Sequence, residues 1–221
     1  MASKARKAID ENVKDITRLL QLHQDEGGTE QGRRYGLEVL NKSAIVLLTS
    51  FWEAYCEDIA EEALLHIVEN APSADDLPED LRKIIAKQLK AESHELAVWK
   101  LSGEGWRKIL VDRLEDLKKE RNRRLNTPKT NQINELFLNA LGIPKMSEKW
   151  HWPKKMNVAR SVSKLDKFVE LRGQIAHRGA TLGTVKKTQV KDYFNFLKRL
   201  VGKTGGAVSE QVKKITPVPL W

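Results

Sequence analysis

Apolar residues recur along this chain at steps of three and four, the spacing that lines one face of an α-helix. Ile9, Val13, Ile16, Leu19, Leu20 and Leu22 follow it and predict an amphipathic helix over residues 5–25, stopped by Gly27-Gly28. From Leu37 to about residue 70 the chain holds neither Gly nor Pro, and its middle, Ala44-Ile45-Val46-Leu47-Leu48, is wholly apolar. That pattern predicts one long helix, buried nearly all round at the centre of a bundle and ended by Ala71-Pro72.

Further periods follow. Leu81, Ile84, Ile85 and Leu89 predict a helix over residues 80–99, and Ser102-Gly103-Glu104-Gly105 breaks the chain. Trp106, Ile109, Leu110 and Leu114 resume the period, and a short helix over 131–141 is closed by Gly142 and Pro144. After a tryptophan-rich loop at 149–155, helices are predicted over 158–178 and 188–201, the second closed by Gly202. Alternating β patterns and Asn-Gly hairpin signals are missing. The expectation is an all-α helical bundle in one domain, residues 1–202, with a C-terminal tail over 203–221 that holds one short helical patch.

Composition narrows the partners. The 221 residues carry 39 Lys+Arg against 30 Asp+Glu, a formal net charge of +9, which points to a polyanionic partner. With 40% apolar residues the chain can still bury a core. The single cysteine, Cys56, excludes an internal disulfide framework and a cysteine-based zinc site. The first residues hold no apolar segment and no run approaches a membrane span, so the expected location is the cytoplasm. P-loop, dinucleotide and nucleophile-elbow signatures are missing, and no cofactor or metal is expected.

One residue stands out chemically. Leu165, Phe168, Val169, Arg172, Ile175 and Ala176 fall on one stripe of the 158–178 helix, so an arginine occupies an apolar face. A buried guanidinium cannot shed its charge, so a carboxylate or a ligand phosphate must meet it. His177 follows five residues later, about 140° round an ideal helix, so the pair converges only if the helix ends early or a second subunit contributes.

Arg172-Gly-Gln-Ile-Ala-His177 resembles the R-x4-6-H signature of the HEPN superfamily, all-α domains that include many metal-independent endoribonucleases. Phe51-Trp52-Glu53-Ala54-Tyr55-Cys56-Glu57-Asp58-Ile59 is similar to the W-E-x-Y-x-E-D segment of the RiboL-PSP-HEPN branch, and the likeness spans roughly residues 37–200. It implies a dimer in which paired motifs cut RNA to a 2′,3′-cyclic phosphate and a 5′-hydroxyl. It also implies a prokaryotic toxin or antiviral role, with a possible antitoxin or effector partner. Gly173 stands where many active members carry a polar residue, which keeps a non-catalytic module that binds a partner protein or RNA as the alternative.

The side chains suit that chemistry. Histidine titrates near neutrality and can move the 2′-hydroxyl proton, while arginine can hold the phosphate. Catalytic candidates are therefore Arg172 and His177, supported by Glu53, Glu57 and Tyr55. The alternative is that Arg172 pairs with Glu53 or Glu57 to fix helix packing while His177 caps its helix. Lys149, Trp150, Trp152, Lys154, Lys155 and Arg178 interleave rings and cations and are candidate RNA contacts. For the tryptophans the alternative is a plug in the end of the bundle.

Overall fold

The computed structural model describes residues 2–27, 36–123, 127–153, 156–178 and 183–221, with the backbone alone at 117, 120–123 and 178. These residues form seven α-helices joined by turns and short 3-10 segments, with no strand among them. They are α1 (Lys4–Gly27), α2 (Glu38–Asn70), α3 (Glu79–Ala91), α4 (Gly105–Arg123), α5 (Thr130–Leu141), α6 (Val158–Arg178) and α7 (Lys187–Ile215). The all-α expectation holds.

α2 is the axis of the bundle. Its 33 residues make a rod about 50 Å long. Ile45, Leu48, Trp52, Cys56, Ile59, Ala63 and Ile67 are all buried, on more than one side, because α1, α4, α5, α6 and α7 all pack against it. α1 covers one side with Ile9 and Ile16. Its N-terminus is capped twice: Ser3 Oγ accepts from Arg6 N (2.9 Å), and Glu62 of α2 accepts from Lys4 N and Ala5 N (3.0 and 3.1 Å). A carboxylate there also meets the positive end of the helix dipole.

α7 runs parallel to α2 in a fixed register. Asn41 Nδ2 donates to the Val185 carbonyl (2.9 Å), the Thr49 and Tyr193 hydroxyls meet at 3.1 Å, and the Tyr55 hydroxyl donates to the Val201 carbonyl (3.0 Å). α6 runs antiparallel to α7. Lys164 pairs with Asp192 (2.6 Å) and lies over Phe196, and Phe168 stacks on Tyr193 at 4.0 Å.

Three expectations are corrected. The 80–99 helix ends at Ala91, where Glu92 turns to extended backbone, and residues 95–101 form a separate 3-10 segment capped by His94. No Gly or Pro marks that break in the sequence. The last helix does not close at Gly202 but continues to Ile215, because Thr204, Val208, Val212 and Ile215 are buried against the bundle. Tertiary burial outweighs the low helix propensity of Gly202, Gly205 and Gly206. The end of the chain is docked as well: Leu220 and Trp221 pack on the core, and His66 Nε2 lies 2.9 Å from the Val218 carbonyl. By contrast Gly142 closes α5 as expected, with φ of 63° and Ile143 N reaching back to the Phe137 carbonyl.

Candidate functional site

α6 starts at Asn157, whose side chain accepts from Arg160 N (2.9 Å), and continues without a break to Arg178. Its apolar stripe is not buried evenly. Leu165 and Val169 are buried, Phe168, Arg172 and Ile175 are half-buried, and Ala176 and His177 are exposed. The helix therefore emerges from the bundle as it approaches its C-terminus, and the candidate pair lies at the point of emergence.

Arg172 is placed beside Tyr193. Burial pushes the Tyr193 hydroxyl well above the ordinary tyrosine value; the Thr49 hydrogen bond and the Arg172 charge pull the other way. The Arg172 Nε is buried and has no hydrogen-bond partner among the described residues. A half-buried guanidinium whose Nε has no hydrogen-bond partner among the described residues is an arrangement that a ligand phosphate would complete.

His177 sits in regular helix, so the helix end does not swing its ring toward Arg172. The two side chains leave the axis about 140° apart. The chain thus presents an arginine toward α7 and a histidine to solvent, rather than a closed pair.

Glu53 and Glu57 are half-buried in α2, and each has an interaction partner of its own. Their charges bear on Cys56, whose thiol is pushed up chiefly by burial and further by Glu57 and Glu53. Tyr55 is not available to a substrate. Its ring is buried, its hydroxyl is committed to Val201, and burial holds it un-ionised far above its usual range. Tyr55 is a core residue.

The tryptophan-rich segment divides in two. Trp150 is wholly buried, donates its indole N–H to Thr204 Oγ1 (3.0 Å) and meets Trp52 edge-on at 5.8 Å. It plugs the bundle and offers no face to a base, which corrects its assignment as an RNA contact. Trp152 is half-buried against Phe196 at 6.0 Å, and with exposed Lys149 it lines a surface groove. Lys154, Lys155 and the Arg178 side chain lie outside the described residues.

Sequence reasoning missed Thr49, Tyr193 and Asn41. Asn41 and Thr49 flank the apolar run 44–48 of α2 beside other polar residues, Lys42, Ser43 and Ser50, so nothing in the local pattern singled them out. Glu38 adds to their latch by accepting from Val185 N (3.1 Å), which ties the entry of α7 to the start of α2. Among the described residues no group of three or more His, Cys, Asp or Glu side chains is placed to hold a metal ion, and no helix is long and apolar enough to cross a membrane.

Compared with known families, the chain matches the model described as RiboL-PSP-HEPN over residues 8–210. No curated protein and no solved structure is found to match it. The matched span takes in α2, α6 and most of α7, including both candidate catalytic residues.

Proposed function

Because the chain belongs to the RiboL-PSP-HEPN family, a HEPN-type all-α domain, we propose that it is an endoribonuclease that cuts RNA through Arg172 and His177 without a metal ion. The observation that carries this reading is the half-buried Arg172, whose Nε has no partner among the described residues, about one and a half helical turns before the exposed His177. In the proposed step His177 takes the proton of a 2′-hydroxyl. The 2′-oxygen attacks the adjacent phosphorus, and the bond to the 5′-oxygen breaks. A protonated second group returns a proton to that oxygen, leaving a 2′,3′-cyclic phosphate and a 5′-hydroxyl. Arg172 holds the phosphate oxygens as charge develops on them.

The 140° divergence within one helix favours a homodimer, in which Arg172 of one protomer and His177 of the other face one cleft. Two histidines in that cleft supply both the base and the acid. A role as a toxin or antiviral effector in the cytoplasm, held by an antitoxin or released by a trigger, is the setting proposed with this activity.

Cleavage of single-stranded and transfer RNA in EDTA tests the site. Arg172→Ala and His177→Ala are each expected to lower the rate by about 10²–10³-fold or more. Undiminished cleavage by both variants sinks the assignment.

Gly173 favours a second reading, a module that binds a protein or RNA without cutting it. A side chain there would meet nothing within 4 Å, so the position next to Arg172 holds room for a polar group that this chain lacks. Growth arrest on expression that His177→Ala relieves speaks for the enzyme; no arrest with either protein speaks for the module.

A further inference from the structure

A groove of about 610 Å³ runs along the outer face of α7, where the segment that ends in Trp152 crosses it. Four cations line it: Lys149 from that segment, and Lys198, Arg199 and Lys203 from successive turns of α7. None of the four is held in an ion pair among the described residues. Basic residues on nearby elements behave differently: Lys145, Lys164 and Lys129 are paired with Glu148, Asp192 and Glu170. Glu210, about two turns beyond Lys203, is the one carboxylate among the described residues that line the groove.

Shape adds to charge. The floor includes Gly202 and Gly206, where even a methyl group would meet nothing within 4 Å, so a ligand can approach the helix backbone itself. His151 and the edge of the half-buried Trp152 form a wall. A volume of this size suits a nucleotide-sized unit, within the roughly 300–1,000 Å³ of small-ligand sites, and is far too small to admit a duplex. Unpaired cations beside an aromatic ring are the elements with which proteins hold unpaired strands, phosphates on the cations and bases on the ring.

We propose that this groove is a substrate-recruiting site for single-stranded RNA, separate from Arg172 and His177, with phosphates on Lys149, Arg199 and Lys203 and a base against Trp152. It rests on RNA being the substrate. The groove residues Lys198 to Glu210 lie between about one and five helical turns beyond Tyr193, the neighbour of Arg172. A strand held there is anchored away from the bond that is cut, so the groove governs affinity and not the chemical step.

The test uses the full chain and a fluorescent 12-nucleotide RNA with 2′-O-methyl groups, which cannot cyclise and so reports binding alone. Fluorescence anisotropy is followed from about 50 to 200 mM salt. The double variant Arg199→Gln/Lys203→Gln is expected to weaken binding about tenfold and to flatten the log–log salt slope by about 1.4, the loss of two phosphate contacts on a single strand. The charge-matched Lys87→Gln/Lys90→Gln on α3 should bind as wild type. Gly206→Leu fills the groove from a helix position that tolerates leucine, and it should weaken binding without lowering the unfolding midpoint. Wild-type affinity in both groove variants overturns the proposal. So does equal competition by double-stranded RNA or by polyglutamate, which would make the face a general anion surface. Cleavage is read separately. An inactive wild type whose groove variants lose affinity defeats the nuclease reading and leaves the groove standing; an active wild type whose groove variants bind and cut normally does the reverse.

Discussion

The α2–α7 interface and the C-terminal half of α6 meet at Tyr193 and treat polar groups in opposite ways. Along α7 the hydroxyls of Thr49, Tyr55 and Tyr193 and the indole N–H of Trp150 all find protein partners between 3.0 and 3.1 Å. Trp52 Nε1 is the exception among the described residues; its ring stacks on Tyr55 and meets Trp150 edge-on. On α6 the Arg172 Nε is buried without a partner among the described residues, and burial fades toward His177. A satisfied interface stabilises a fold, whereas an unsatisfied charge weakens it unless a ligand arrives. The difference separates the part of the molecule that holds it together from the part where the proposed site lies.

The largest effect should come from breaking the first region. Trp150→Ala removes a wholly buried ring and leaves Thr204 Oγ1 without its donor, so it is expected to lower stability by about 3–5 kcal/mol in urea unfolding. Arg172→Leu is the counterpart in the second region. It replaces a guanidinium whose buried Nε has no partner among the described residues, on the stripe of Phe168, Val169 and Ile175, with an apolar group, and stability should be unchanged or higher by up to about 1 kcal/mol. A loss above about 2 kcal/mol in Arg172→Leu would make the arginine a structural residue and erase the contrast.

A smaller effect follows from the two buried tyrosines. Both hydroxyls titrate above the ordinary value of 10.0, mainly because burial disfavours the phenolate. Above about pH 10 the unfolded chain loses these protons while the folded chain keeps them. Their contribution is therefore complete below that pH and is lost as pH rises, by about 1.4 kcal/mol per pH unit for each tyrosine. Unfolding midpoints measured from pH 8 to 11 should fall more gently in Tyr55→Phe and in Tyr193→Phe. Identical slopes in wild type and both variants would remove the tyrosines as the cause.

The same contrast governs what could be read from the sequence. The course of α5 and α6 follows from periodicity, since each carries its own apolar stripe, and that of α2 from a long run without Gly or Pro around a wholly apolar centre. Arg172 was visible because a charge interrupts such a stripe. Trp150 was not, because its partner Thr204 is 54 residues away and its flanking lysines resemble an exposed platform. The Thr49–Tyr193 contact spans 144 residues and leaves no local trace. Local pattern shows which face is apolar; only the assembled bundle shows which polar group remains unpaired on it.

The glycines of α7 give the finest test of the division. A methyl group on Gly205 would stand 2.8 Å from the Tyr55 hydroxyl, so the close approach of α7 to α2 needs a hydrogen there. Gly205→Ala should push that hydroxyl off the Val201 carbonyl and cost about 1–3 kcal/mol. Gly202 lies three residues earlier on the open side, where a methyl group meets nothing within 4 Å. Gly202→Ala should raise stability by about 0.5–1 kcal/mol, since alanine restricts the unfolded chain and favours the helix. Opposite signs at two positions of one helix would assign Gly205 to packing and Gly202 to the open groove. A loss at Gly202 as large as that at Gly205 would instead mean that the outer face of α7 is covered in solution.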